Sequence, residues 1–234
     1  MFFESVAGAA CAAASLMAYG VRGRSSSLFG PSVWRGVSGR PAIALTFDDG
    51  PSESTPELLE ALDRNGVRAT FFQCGVHVRR LPSVAREVAG AGHEIGNHSD
   101  SHASFYFKAG REIYRELERA QESIFEVSGV RPSLFRAPYG ARWFGLRRAQ
   151  ERLGLLGVMW TATGRDWALS GAAVARRLSA SARNGAIFCL HDGRGLQREP
   201  DIRGTLEAVT RLVPELKGRG YHFETVSEIL CPKN

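Results

Sequence analysis

Residues 42–51 read Ala-Ile-Ala-Leu-Thr-Phe-Asp-Asp-Gly-Pro, and this run decides the fold class of the chain. Its apolar first half predicts a buried strand, which Asp-Asp-Gly-Pro ends with two carboxylates and two turn residues. Further on, short apolar runs alternate with amphipathic stretches, the pattern of βα units around a parallel sheet. The sequence therefore predicts an α/β protein, in which polar groups that follow the strands collect at one edge of the sheet.

The same pattern places seven strands and five helices along the chain. The predicted strands cover residues 42–47, 69–74, 94–96, 134–136, 157–160, 186–190 and 221–224. The predicted helices cover residues 55–66, 82–91, 111–127, 172–182 and 202–219. Thr55 as N-cap, with Pro56 at the first helical position, begins the first helix, and Gly66 ends it.

Composition bounds the class of protein. The 234 residues, 44% of them hydrophobic, suffice for one sizeable domain. The net charge of +6 comes mostly from scattered arginines, without the basic run and interleaved aromatics of a nucleic-acid surface, so no nucleic-acid partner is expected. The four cysteines show no metal or disulfide spacing, and Cys74 and Cys189 lie in apolar runs that predict buried thiols.

The N-terminal 40 residues are predicted to precede the domain, which we place at residues 41–234. Residues 6–19 are small and apolar and are followed by Arg22 and Arg24, as in a weak signal or membrane anchor. However, Glu4 stands where a signal peptide carries basic residues, and the run is shorter than the ~20 residues that a bilayer needs. Residues 25–39 are interpreted as a linker or an irregular N-terminal layer. A cell-envelope or secreted location is favoured over a cytoplasmic one, with membrane association through this segment as one form of it.

Two polar clusters together predict a metal site. Asp48 and Asp49 repel each other unless a cation or a shared proton offsets the repulsion, although Asp-Gly-Pro alone is equally typical of a turn. Neighbouring residues of a strand point to opposite faces. These two aspartates can therefore act at one site only if the strand ends between them. His98 and His102 have the spacing that brings two imidazoles together on a helical face. Two histidines and one carboxylate form a familiar ligand set.

Three further clusters follow predicted strands or loops. The first is Arg136-Ala137-Pro138-Tyr139-Gly140, where the guanidinium could hold a carboxylate or form a surface ion pair. The second, Asp166-Trp167, is weak evidence alone. The third is His191-Asp192-Gly193, whose imidazole titrates near neutrality and suits a general acid.

The order of these five clusters resembles the five motifs of the polysaccharide deacetylase family, also called the NodB-homology family, over about residues 41–230. The resemblance implies a distorted (β/α) barrel of about seven parallel strands and one divalent metal ion, with zinc favoured and cobalt, nickel or iron also suited to the ligands. It implies these roles: Asp48 as general base; Asp49, His98 and His102 as metal ligands; His191 as general acid; Arg136 holding Asp48; Asp166 orienting His191; Pro138, Tyr139, Trp167 and Cys189 as substrate-binding residues.

Two residues depart from the family pattern. Thr163 stands where the family often has an aspartate three residues before the Asp-Trp pair, which puts the electrostatic tuning of the site in question. Cys189 stands where the family often has a leucine, which alters the expected pocket for the acetyl methyl group.

The resemblance implies a hydrolase that removes N-acetyl groups from amino sugars of a glycan such as a chitin oligomer or peptidoglycan. Three alternatives stay open. An esterase acting on O-acetylated glycan needs the same site, and so does a hydrolase of small-molecule amides. The third is a catalytically silent glycan-binding module, which would require the loss of a proposed catalytic group, whereas all of them are present.

Overall fold

A computed structural model describes residues 2–231, apart from the side chains of residues 2–7 and 9. The strands of this range are Ser32–Val33 (β1), Ala42–Asp48 (β2), Thr70–Gln73 (β3), Glu94–Asn97 (β4), Leu134–Phe135 (β5), Leu156–Val158 (β6), Ala162–Thr163 (β7), Ala186–His191 (β8) and His222–Phe223 (β9). The α-helices are Phe2–Arg22 (α1), Thr55–Arg64 (α2), Gly75–Arg80 (α3), Pro82–Gly90 (α4), Gly110–Ser128 (α5), Leu146–Leu153 (α6), Gly171–Ala180 (α7), Arg203–Gly218 (α8) and Val226–Leu230 (α9).

The strands form one parallel sheet in the order β1-β6-β5-β4-β3-β2-β8-β7, with β9 also paired to β2. The chain that leaves β6 crosses directly to β7 beside β8, and the Thr161 N–H donates to the Ile187 carbonyl at 2.8 Å. The two ends of the sheet therefore approach each other, and the sheet curves into an incomplete barrel. The predicted α/β distorted barrel is confirmed, with all seven predicted strands present and two short strands, β1 and β7, added.

Strand β2 lies at the centre of the sheet, and all of its residues are buried. Leu45 and Phe47 pack against the outer helices, where each contributes about 1.5–3 kcal/mol by burial. Ala42 and Ala44 face the barrel interior. Because side chains alternate along a strand, Asp48 points to the same inner face as these alanines, at the carboxyl end of the barrel.

The chain before Pro41 also packs on the barrel. Val21 and Phe29 are buried, and β1 pairs with β6. The side chain of Arg142, itself buried, donates to the carbonyl oxygens of Val21, Gly23 and Ser26. The structured chain thus begins before the predicted domain boundary. Over the described residues, no helix is both long enough and apolar enough to cross a bilayer.

Candidate active site

The polar clusters meet in one cavity of about 570 Å³ at the carboxyl ends of the strands. The predicted site residues that line it are Asp48, Asp49, His98, His102, Tyr139, Trp167, Cys189 and His191. The other predicted residues, Arg136, Pro138 and Asp166, are buried and do not line the cavity. The cavity wall also includes Arg22, Gly140, Trp160, Thr163, Arg194 and Gly195.

Asp49, His98 and His102 converge as a candidate metal centre. The Oδ1 atom of Asp49 lies 2.9 Å from Nε2 of His102 and 3.2 Å from Nε2 of His98. Nδ1 of His98 lies 2.8 Å from the Arg136 carbonyl, to which it donates, so that Nε2 is the ring nitrogen that faces Asp49 and could ligate an ion. All three side chains are buried. Their donor set fits one divalent ion of the zinc type, with positions left for other ligands.

The charge on Asp49 supports the same assignment. Burial alone would raise the pKa of this carboxyl, but hydrogen bonds from His102 and His98 outweigh burial and hold the pKa well below its ordinary value. Asp49 is therefore anionic at neutral pH, as a carboxylate ligand of a metal must be. Its second oxygen, Oδ2, accepts the Gly195 N–H at 2.8 Å, which leaves Oδ1 directed at the two imidazoles.

The two histidines do not share a helical face, and that part of the sequence interpretation is wrong. Residues 98–109 form a loop, and α5 begins only at Gly110. The Asn97 side chain accepts the Ser99 N–H at 2.9 Å, and Ser99 and His102 have left-handed φ angles of 66° and 52°. An Asx-type turn thus replaces the first helical turn. The loop still brings the two imidazole centroids to 5.1 Å.

The adjacent aspartates separate as expected. Asp48 is the last residue of β2, whereas Asp49 takes a left-handed φ of 75° and leaves the strand. Asp48 thus projects into the barrel mouth while Asp49 turns toward the histidines. The donor atoms of Asp48, Cys189 and His191 lie within 4.8 Å of one another, so Asp48 and His191 face the same small space.

Arg136 holds Asp48 from behind. Its Nη1 atom lies 2.6 Å from both Asp48 Oδ1 and Thr46 Oγ1. Its Nε and Nη2 atoms donate to the carbonyls of Val158 and Met159. The guanidinium is fully buried, with its central carbon 4.3 Å from the ring centroid of Phe72. The orientation of Asp48 is therefore set by a side chain with little freedom to move.

His191 is held in a similar way by Asp166. The two side chains meet at 2.9 Å between Nδ1 and Oδ1, and Asp166 Oδ2 accepts from the His191 N–H and the Thr205 hydroxyl. Burial would lower the pKa of His191, but the hydrogen bond and charge of Asp166, with the charges of Asp49 and Asp48, raise the pKa to about 9. With Nδ1 engaged, Nε2 is the atom free to face the cavity.

Asp166 has two partners that sequence reasoning did not identify. Arg194 lies 3.3 Å from its Oδ2 atom, and Thr205 donates to the same atom at 2.7 Å. Arg194 closely follows the motif of His191, a signal that could have been used. Thr205 belongs to α8, far along the sequence, and no local pattern marks it.

The remaining predicted residues shape the cavity. The Cys189 thiol lies 3.4 Å from Asp48 Oδ2, and burial, followed by the charge of Asp48, raises its pKa well above the ordinary value, so it stays protonated. Trp167 and Tyr139 are largely exposed on the rim, edge-on to His191 and His102 respectively. Tyr139 has a left-handed φ of 57° in the short 3-10 turn Pro138–Gly140.

The loop after β8 fits closely around Asp49. A Cβ atom added at Gly193 would lie 2.5 Å from the Asp49 carbonyl oxygen, so this position excludes every side chain. The backbone of Gly195 bridges two side chains, since its N–H donates to Asp49 Oδ2 and its carbonyl lies 2.7 Å from His77 Nε2. Asp49, the candidate metal ligand, is thus held from the loop as well as from β2.

Comparison with known proteins identifies the class that this fold and site define. The family model described as polysaccharide deacetylase matches residues 35–158. Together with the relatives below, this match shows that the chain belongs to the polysaccharide deacetylase family.

Two relatives are peptidoglycan and chitooligosaccharide deacetylases. A peptidoglycan-N-acetylglucosamine deacetylase of Listeria monocytogenes is 34% identical over 193 residues, which are 82% of this chain and 39% of the relative. The chain thus spans about two fifths of that protein. A chitooligosaccharide deacetylase of Azorhizobium caulinodans is 36% identical over 194 residues, which are 78% of this chain and 91% of the relative.

Three solved structures share the fold. A peptidoglycan N-acetylglucosamine deacetylase with a bound benzamide derivative has a TM-score of 0.78 at 27% identity, covering 84% of this chain and 91% of its own. A pseudoenzyme of the same family from Bacillus anthracis also has a TM-score of 0.78, at 25% identity, covering 87% and 70%. An acetyl xylan esterase from Clostridium thermocellum, solved with a cobalt ion, has a TM-score of 0.72 at 33% identity, covering 80% and 89%. The fold alone therefore does not decide between catalysis and its loss.

Proposed function

We propose that this protein is a metal-dependent hydrolase that removes the N-acetyl group from an amino sugar of a glycan. The observation that carries the proposal is the meeting, around one cavity, of a candidate metal centre with two oriented side chains, Asp48 and His191. The peptidoglycan and chitooligosaccharide deacetylases among the relatives support an N-acetylated glycan as substrate. A location at the cell envelope or outside the cell is proposed with it, since such glycans lie there.

Asp48 is the proposed general base. Its Oδ1 atom is occupied by Arg136, and its Oδ2 atom lies beside Cys189 in the cavity, free to accept a proton from an attacking water molecule. Because Arg136 is rigidly bound, the carboxylate keeps its position during proton transfer. A bound divalent ion would supply the positive charge that polarises the acetyl carbonyl. Asp49, His98 and His102 would hold that ion.

His191 is the proposed general acid. With its pKa at about 9, the imidazole is protonated at neutral pH and can donate to the amide nitrogen as the C–N bond breaks. Asp166 occupies Nδ1, so the proton is delivered from Nε2. An amide needs this proton, because an amine anion is a poor leaving group.

Substrate binding is assigned to the rim and to the cavity floor. The exposed rings of Trp167 and Tyr139 offer apolar surface for a sugar ring. The backbone N–H of Tyr139 is proposed to help stabilise the oxyanion. Cys189, smaller than leucine, gives the acetyl methyl group a roomier pocket.

Acetate release from a panel of glycans tests the proposal. The panel holds an N-acetylglucosamine oligomer, peptidoglycan and acetylated xylan, each assayed with and without a chelator and with added zinc or cobalt. We expect acetate from an N-acetylated glycan, loss of acetate with chelator, and no activity in His102→Ala. Release from acetylated xylan alone would make the protein an O-acetyl esterase. A metal-loaded protein that releases acetate from none of them would be a glycan-binding module.

A further inference from the structure

One cationic side chain of the cavity wall has no part in the proposed chemistry. Arg22, the last residue of α1, lines the same cavity as Asp48 and His102. Its Nε atom donates to the Tyr106 hydroxyl at 2.7 Å, and its guanidinium carbon lies 5.6 Å from the centroid of that ring. The side chain is therefore directed by a specific partner, although it is exposed to solvent.

The backbone on both sides of Arg22 is fixed to the barrel. Val21 is buried, and its carbonyl accepts from the backbone N–H of Arg142 at 3.2 Å. The buried Arg142 guanidinium donates to the carbonyls of Gly23 and Ser26. An arginine that holds three carbonyls in a row of six residues fixes the course of that chain. Arg22 thus reaches the cavity from a backbone segment that is held in place by hydrogen bonds.

Arg22 has no carboxylate partner among the side chains that the structure describes. Arg194, the other arginine of the cavity wall, pairs with Asp166. With Nε bound to Tyr106, both terminal nitrogens of Arg22 can donate to a ligand. A planar guanidinium favours a carboxylate, which it can bind through two parallel hydrogen bonds.

Resting on the proposed function, we infer that Arg22 binds a carboxylate carried by a sugar that adjoins the one losing its acetyl group. The cavity of about 570 Å³ is large enough for more than the acetyl group, and Arg22 shares it with the metal centre. The protein therefore prefers a glycan with acidic substituents over a neutral oligomer of the same length. The N-terminal segment supplies this preference, separately from the five motifs.

A pair of matched substrates isolates the effect of the carboxylate. Peptide-free peptidoglycan strands carry free lactyl carboxylates on alternate sugars, and amidation neutralises those groups without removing an acetyl group. Arg22→Gln should lower kcat/KM on the acidic strands by about tenfold, the loss expected for a charge-assisted hydrogen bond, and change it less than about twofold on the amidated strands. Arg22→Lys should fall between, because it keeps the charge and loses the fork.

Arg148→Gln is the matched control, since Arg148 is exposed, lies outside the cavity wall and loses the same charge. It should leave both substrates unaffected. Equal losses on acidic and amidated strands in Arg22→Gln would overturn the inference, as would equal losses in the control. If the wild-type protein releases no acetate from either strand or from an N-acetylglucosamine oligomer, the proposed function fails instead. Calorimetric binding of the two strands to wild type and Arg22→Gln then decides the role of Arg22.

Discussion

Nη1 of Arg136 lies 2.6 Å from Oδ1 of Asp48, and both side chains are almost fully excluded from solvent. A buried ion pair of this kind is costly to break on one side, because the remaining charge stays desolvated. The proposed base is thus coupled to the stability of the barrel as well as to its chemistry.

Arg136→Met should lower the free energy of unfolding by about 3–5 kcal/mol and abolish acetate release. Adding Asp48→Asn should recover part of that stability, since the unpaired carboxylate disappears, but no activity. Urea unfolding of both variants, alongside acetate assays, measures the two effects. A fully stable single variant would mean that the pair does not hold the barrel together.

The two adjacent aspartates should respond differently to the same isosteric change. Asp48→Asn should keep the metal and lose turnover by at least about 10²- to 10⁴-fold, because a base is removed. Asp49→Asn should weaken metal binding itself, as should His98→Ala. Metal content and acetate release are measured side by side. A metal-free Asp48→Asn with a metal-loaded Asp49→Asn would exchange the two roles.

The role of His191 as acid predicts a dependence on the leaving group. His191→Ala should slow hydrolysis of the N-acetyl amide by about 10²- to 10⁴-fold, but affect an activated aryl acetate far less, since a phenolate leaves without a proton. Rates on both substrates with the same metal-loaded preparation decide the matter. Equal losses would place His191 in binding or folding instead.

The pH profile should report the pair His191–Asp166. An acid must be protonated to act, so activity is lost as the pH rises through the pKa of His191, which its hydrogen bond with Asp166 raises above the ordinary value. Asp166→Asn removes the hydrogen bond and charge that raise this pKa, and the alkaline limb should move toward lower pH. Thr205→Val keeps the carboxylate charge, so it should move the limb less. An unchanged limb in Asp166→Asn would contradict the assignment.

Truncation should separate the two parts of the N-terminal segment. Removing residues 1–18 leaves the carbonyls that Arg142 binds, and the melting temperature should change little. Removing residues 1–24 exposes the surface that Val21 covers and removes carbonyls to which the buried Arg142 donates. Each unsatisfied donor should lower the free energy of unfolding by about 1–3 kcal/mol. Thermal unfolding of both truncations tests this. Equal melting temperatures would show that the domain is independent of Val21 and Gly23.

The sequence predicted the parts of the site that depend on strand ends. Asp48, His191 and Arg136 follow apolar runs long enough to identify as strands, and parallel strands bring their carboxyl ends together. The sequence predicted that the two histidines lie close together, but it predicted a helix there. The structure has a loop, which the hydrogen bond between Asn97 and Ser99 stabilises. The spacing of the two histidines is compatible with a helix or a loop. The hydrogen bond from the Ser99 N–H to the Asn97 side chain favours the loop.

The sequence did not predict the contacts between residues that lie far apart along the chain. Arg142 binds carbonyls more than 110 residues away, and Arg22 shares a cavity with a motif from another part of the fold. Strands β1 and β7, with two residues each, were not predicted either. Such contacts depend on how the barrel closes, which no local pattern specifies.

Gly195 contacts Asp49 through its N–H and His77 through its carbonyl, and His77 in turn contacts the partly exposed Arg80. A change at Arg80 or in the loop would therefore reorient backbone that touches a proposed metal ligand without altering any ligand. On the proposed function, metal affinity would be open to gradual tuning, by natural variation or by engineering, at positions far from the substrate. The proposed catalytic residues would not need to change for such tuning.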